Sequence, residues 1–533
     1  MYQPMIQKSY CRILILAIAL IGLPTMAQDI QYGQTTFPNS GADEAQQSFM
    51  EGLLMLHSFE YSDARKAFQR ASAIDESFAM AYWGEALTHY RVLWNEIELE
   101  KVRDALGRLG ETPKARADNA PTQREKDYLA TVEILLDEGE DSTRAVRFAE
   151  ALEILATDYP DDENAAAFYA LALLGSSGAD RDFAIYMKSA AVSEAVIANN
   201  PRHPGAVHYL IHAYDDPVHA PLGLRPALMY AQIAPAATHA LHMPSHIFFP
   251  MGMWQAATDI NLRSYAAGQA WGVKNGKPVN GSGAHALSWL VYSLLQEGRI
   301  AEARSHMLEF QDLVKQEPAR TGQFVETWAS YVISTDFADV EFVNFDLDAS
   351  KMPSRQSSMI YFVKAAAAIN SGALDVAESN LRSLAALEMK LNDLNWSEKA
   401  QDVMVLELQA LLQRARGNMA EAVSLLEEAA SLEYSMPRRF GPPWPPKPAH
   451  ELLGELLAEQ GDFGAAMRQF KMALSLARNR TPSLLGLARA ASALDREDDA
   501  RRAYQSLHDN LQRADSNFAT LQEAQEHTKS GTT

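Results

Sequence analysis

The sequence predicts an all-α protein, an α-solenoid of tetratricopeptide-type helix hairpins wound into a right-handed superhelix. Three observations carry this expectation. From Asp43 onward apolar residues recur at spacings of three and four, alanine is abundant, and no alternating β-type segment stands out. A pattern of small and large apolar residues repeats at an interval of 34: Leu453, Gly454, Leu457, Ala466, Phe470 and Ala473 return as Leu487, Ala488, Ala491, Ala500, Tyr504 and Leu507. A chain of 533 residues also exceeds one compact core, whereas a stacked array buries its apolar faces between neighbouring hairpins.

In chain order, residues 1–27 read as a secretory signal peptide. Lys8 and Arg12 precede an apolar run from Ile13 to Leu23, and Thr25 and Ala27 place small residues before a cut. The run is about half of the ~20 residues that span a bilayer, so no stable membrane anchor is expected after cleavage. The expected location is periplasmic or secreted. The single cysteine, Cys11, precedes the apolar run, whereas a lipoprotein needs one just after it. The mature chain would then hold no disulfide and no thiolate for catalysis or soft-metal binding.

Residues 28–43 are polar with Gly and Pro and are expected to be irregular. Residues 44–436 read as the main solenoid, with Gly52, Ala64, Phe68 and Ala71 as an early copy of the repeat and fainter copies near Ala303, Ala377 and Ala422. Within it, residues 110–122 read as a polar, Pro-containing loop. Residues 437–449 carry six prolines in thirteen positions and cannot be helical. They form a spacer or a cover over the solenoid, the spacer being the simpler reading. Residues 450–512 are C-terminal repeats, and 513–533 form a polar tail expected to fray.

The formal net charge of −21 disfavours nucleic acid and anionic lipid as partners. No G-x-S-x-G, Walker A, H-E-x-x-H or dinucleotide fingerprint stands in a supporting context.

Chemistry concentrates between His203 and His246, which hold seven of the fourteen histidines. His208/His212 and His242/His246 are each four residues apart, and the second pair follows the first by the repeat length of 34. On the helix beginning at Pro204, Val207, Leu210, Ile211 and Tyr214 form the core stripe. His208, His212 and Asp215 lie on a second stripe, about 100° away. His239 and His285 each precede a turn glycine, Gly252 and Gly298, by thirteen residues and are equivalent positions. Such residues line the concave groove of a solenoid. His208, His212, Asp215, His239, His242, His246 and His285 are therefore candidate ligands for one or two divalent transition ions, Zn, Cu, Fe or Mn. Asp216 and His219 are candidates to orient those ligands. Ser245 beside His242 and His246 makes no triad by adjacency alone. Pro244 kinks or restarts the second helix, which would shift His242 out of alignment with His208. Two other readings stand beside metal binding: a groove that takes a protein, a peptide or an anionic ligand, and histidines used only for structural hydrogen bonds.

The runs FAMAYWGEAL, HPGAVHYLIHAYDDPVHAPLGL, HALHMPSHIF with GMW after it, and PAHELLGELL resemble an exported bacterial tetratricopeptide repeat family without an established activity. The resemblance spreads over residues 45–510, and the histidine runs are its specific part. It implies a helical solenoid and a shared histidine-lined site, and no substrate.

Overall fold

The computed structural model describes residues 31–137, 141–178, 181–388, 394–437 and 440–529. The expected signal peptide lies outside these residues. The described chain is an all-α solenoid of tetratricopeptide-type hairpins. Its strand content among the described residues is a pair of two-residue strands, Tyr90–Arg91 against Glu96–Ile97. No described helix is long and apolar enough to cross a membrane.

The hairpin packing follows from the small and large residues of the repeat. Phe68 enters a gap between Gly52 and Gly84, where a Cβ on Gly52 would sit 2.9 Å from the Phe68 ring. Phe470 sits in the same way between Gly454 and Gly486. The missing side chains let three consecutive helices close around one aromatic ring. Between the two helices of a hairpin the chain reverses through a left-handed residue. Glycine holds this position at Gly252, Gly298, Gly372, Gly417 and Gly461, while Phe59 and Asp495 adopt it without being glycine.

Several segments differ from the sequence reading. Residues 110–122 contain a short helix, Pro113–Asp118, because Thr112 caps it by accepting from the Ala115 amide and proline fits its first turn. The tail expected to fray is helical over Ala519–Lys529. Ala524 is fully buried, and Glu523 pairs with Arg489 and accepts from the Tyr504 hydroxyl. Pro244 does split the second histidine helix, into Thr238–His242 and Pro244–Met251, yet its histidines stay together.

The C-terminal hairpins fold back onto the middle of the chain. Arg480, buried in an ion pair with Glu451, donates to the Tyr292 hydroxyl at 2.6 Å. The Thr481 amide donates to Gln296 at 3.0 Å, and the Trp254 indole to the Asn479 carbonyl at 2.8 Å. The Pro-rich segment is laid across the surface that this return creates. Trp444 stacks beneath the Arg355 guanidinium at 4.6 Å, and Gly441 rests on Trp289 closely enough that a Cβ would meet the ring at 2.7 Å. The solenoid's central face is thereby covered from two sides.

Candidate metal centre

Three stretches of helix bring the histidines together. In Pro204–Ala213, His203 caps the start by accepting from the Ala206 amide at 3.1 Å, and Pro204 fixes the first turn. One turn on, His208 and His212 lie with ring centroids 4.9 Å apart. Thr238–His242 and Pro244–Met251 present His239, His242 and His246, the last two with centroids 5.0 Å apart. The break at Pro244 therefore preserves the helical spacing of the pair. His285, from Gly281–Gln296, comes within 4.7 Å of His242.

All seven candidate ligands from the sequence meet in this one place. Donor atoms of His208, His212 and His239 lie within 4.8 Å of one another, as do those of His242, His246 and His285, and those of His212, Asp215 and His246. The groove expected to hold them is covered: five of the six histidines and Asp215 are buried, and His285 is half-buried.

Hydrogen bonds set the tautomers. The His57 carbonyl, one of the free acceptors at the end of the helix Asp43–His57, takes the Nδ1 proton of His208 at 2.7 Å. That leaves His208 Nε2 bare, facing His239 Nε2 at 3.1 Å. His242 Nδ1 lies 2.7 Å from Asn261 Oδ1, and His246 Nδ1 2.5 Å from Asp215 Oδ2. Each of these rings is turned so that Nε2 points into the cluster. A carboxylate or carbonyl behind a histidine is the arrangement that orients metal-binding imidazoles.

Three atoms in the cluster have no protein partner: His212 Nε2, His242 Nε2 and Asp215 Oδ1. A buried polar atom without a partner costs about 1–3 kcal/mol. Burial, with neighbouring imidazoles adding to it, holds His208, His212, His239 and His242 well below the ordinary imidazole value, and holds His285 at about 3. The rings are therefore neutral, the form that ligates.

Asp216 and His219 stand apart from this cluster. They pair with each other at 2.7 Å, and the His219 ring packs on Phe183. Their connection to the site runs through Arg181, which lies 3.7 Å from Asp216 and donates to the His212 carbonyl at 3.4 Å. Met243 is wholly buried among core side chains.

Other residues of the site escaped the sequence reading. Phe59 reaches it from the first hairpin turn with φ +56°, its ring 4.3 Å from His208 and 5.3 Å from His239. A bulky residue in that conformation is strained and is found where the surroundings hold it. His57, bonded to the Tyr209 hydroxyl and to Asn164, packs behind it. Trp289 covers His246 at 4.6 Å and Phe440 covers it at 5.3 Å. Trp289 follows His285 by one helical turn, which was the available signal. Nothing in the sequence marks Phe59, Asn261 or Phe440.

No protein-family model and no curated protein matches the chain. Among solved structures it is similar to a chain of the APC/C hetero-tetramer Cut9–Hcn1, at 11% identity over 93% of this chain and 78% of that one, with a TM-score of 0.35. It is similar to human IFIT1, solved as a dimer with m7Gppp-AAAA, at 11% identity over 90% and 91%, TM-score 0.36. Yeast Tom70 aligns at 11% identity over 86% and 90%, TM-score 0.31. At these values no ligand, partner or site is carried over from them.

Proposed function

We propose that this chain is an exported tetratricopeptide-type solenoid that binds transition metal in a buried site made by His208, His212, Asp215, His239, His242, His246 and His285. One observation carries the reading: the unpartnered His212 Nε2, His242 Nε2 and Asp215 Oδ1 lie in a single buried cluster of six imidazoles and one carboxylate. Bound metal supplies what these atoms lack. Imidazole with a carboxylate suits Zn, Cu, Fe or Mn. A site with three protein ligands keeps a position open for water or substrate, and that supports metal-dependent chemistry as well as metal handling. The burial of the histidines favours an ion over a peptide as their ligand. A protein partner would meet the outer surface of the solenoid instead.

The test is elemental analysis of the purified full chain after reconstitution with Zn, Cu, Fe and Mn in turn. Wild type should retain metal, and the double variant His212→Ala/His246→Ala should lose it. Near-zero metal in both, with all four ions, overturns the reading and leaves the scaffold reading in front.

A further inference from the structure

Resting on that metal reading, we propose that the site holds two copper ions as a coupled pair, one in each of two three-histidine cups, and that the reduced pair binds dioxygen as peroxide.

The cups are copies of one another. The first combines the His208/His212 pair with His239 from the following hairpin. The second combines the His242/His246 pair with His285 from the hairpin after that. Each cup is thus one repeat's helical pair closed by the next repeat's single histidine. The duplication of the fold has duplicated the site. Neither cup uses the other's histidines, and each offers three nitrogens, the number that leaves a metal an open position.

The cups also touch. The rings of His212 and His246, one from each cup, have centroids 5.2 Å apart, and those of His239 and His242 6.2 Å. Donor atoms of His212, His246 and Asp215 all lie within 4.8 Å of one another. Two ions held this way are near enough to share one small bridging ligand.

Charge selects the metal. Six imidazoles make the two cups, and Asp215 is the one carboxylate among the grouped ligands. Asp216 is engaged by Arg181 and His219, and Glu60 is engaged by the His239 amide at 3.0 Å. Paired sites for iron or manganese are lined with several glutamates. Two divalent ions here would place four positive charges in a buried chamber against a single carboxylate, which is costly. Two Cu(I) ions place two. Imidazole is a good copper ligand, and the described cluster contains no thiolate.

The same count favours the oxygen step. Two Cu(I) ions each give one electron to one O2. The O–O bond order falls from two to one, and the product is two Cu(II) bridged by peroxide. No proton moves, and the total charge of ions plus oxygen stays at two positive. The step therefore brings no new net charge into the buried site. Access is provided by a cavity of about 170 Å³ that reaches His285 between Trp289, Phe440 and Trp444.

The experiment loads the full chain with Cu(I) without oxygen, removes excess copper, and measures copper per chain. Oxygen is then admitted, O2 uptake is followed, and Cu(II) is counted by electron paramagnetic resonance. The expected result is two coppers per chain, one O2 consumed per two coppers, peroxide recovered on acid quench, and a Cu(II) signal far below the total copper because the spins are paired. His285→Gln, which leaves the first cup whole, should hold half the copper. On chemical oxidation that copper should give the full signal. One copper per chain in wild type, or two with full unpaired signals, overturns the pair while the metal reading stands. Retention of two zinc ions with no retention of copper overturns the choice of copper. Absence of every metal defeats this inference and the proposed function together. The wild-type counts decide the matter even where the variant fails to fold.

Discussion

His246 Nδ1 lies 2.5 Å from Asp215 Oδ2, with both side chains buried, and the second carboxylate oxygen of Asp215 has no protein partner. One carboxylate thus fixes the direction of a ligand from the second cup and is grouped with His212 of the first. Asp215 lies just past the C-cap, Tyr214, of the helix that carries His208 and His212, so its bond to His246 links the two histidine helices.

Asp215→Asn tests that relationship. Asparagine keeps the shape and can still accept from His246 Nδ1, but it loses the charge. Metal affinity should fall about 10–100-fold, the usual cost of losing such a partner, while the helical content stays unchanged. Competition against a chelator of known affinity measures it. An affinity equal to wild type would remove Asp215 from the site.

The metal-free protein should lose stability as the solution is acidified from pH 7 to 5. Burial is the main cause that holds His57 at about 4 and His285 at about 3, and that keeps His203, His208, His212, His239 and His242 well below the ordinary value. In the unfolded chain these rings take up protons near pH 6.5, whereas the folded chain refuses them. The unfolded state therefore binds more protons between the two values, and stability falls as pH falls through that window. Each such group contributes up to about 1.4 kcal/mol per pH unit. Denaturant midpoints at pH 7, 6 and 5 check this, and a midpoint that is flat or rises on acidification would contradict the burial of these rings in solution.

The legibility of this site in the sequence was uneven for physical reasons. The pairs His208/His212 and His242/His246 could be read because helical spacing and the 34-residue repeat are both local periodicities. His239 and His285 could be read because each keeps a fixed distance from its turn glycine. What periodicity cannot report is what lies opposite. The return of the C-terminal hairpins through Arg480 and Thr481, and the placement of Phe440 and Gly441 over His246 and Trp289, join residues more than 145 positions apart. That is why the sequence offered an open groove where the structure has a covered chamber. Phe59 was invisible for a different reason: its left-handed backbone belongs to a position that in most other hairpins is marked by glycine.

Arg480 should matter far from the histidines. Burial alone would raise the Glu451 carboxyl, but Arg480 and Lys447 hold it well below the usual carboxylate range. Arg480 also reaches Tyr292 on the helix that supplies His285. Arg480→Ala leaves the buried Glu451 without its bidentate partner and should cost about 3–5 kcal/mol. The double variant Arg480→Met/Glu451→Leu, which removes both charges, should cost much less. Thermal unfolding of the three proteins decides it, and equal losses in the single and double variants would mean that packing, not the stranded charge, sets the cost.

Phe59 makes a prediction with two opposing parts. Its ring is buried against His208, His239 and Tyr61, so removing it should destabilise the protein by about 3–5 kcal/mol, as for other buried phenylalanines. Its backbone sits at φ +56°, where any residue with a Cβ carries a penalty of roughly 1–2 kcal/mol and glycine carries none. Phe59→Ala loses the ring and keeps the penalty. Phe59→Gly loses the ring and sheds the penalty. The glycine variant should therefore be the more stable of the two by about 1 kcal/mol, in keeping with the glycines at the equivalent turns of other hairpins. Denaturant unfolding of both variants measures the difference, and an alanine variant at least as stable as the glycine one would show that the turn is not left-handed in solution. Phe59 supplies no ligand, so both variants should still bind metal at the wild-type stoichiometry. They should release it to a chelator faster, because the ring that shields the first cup is gone.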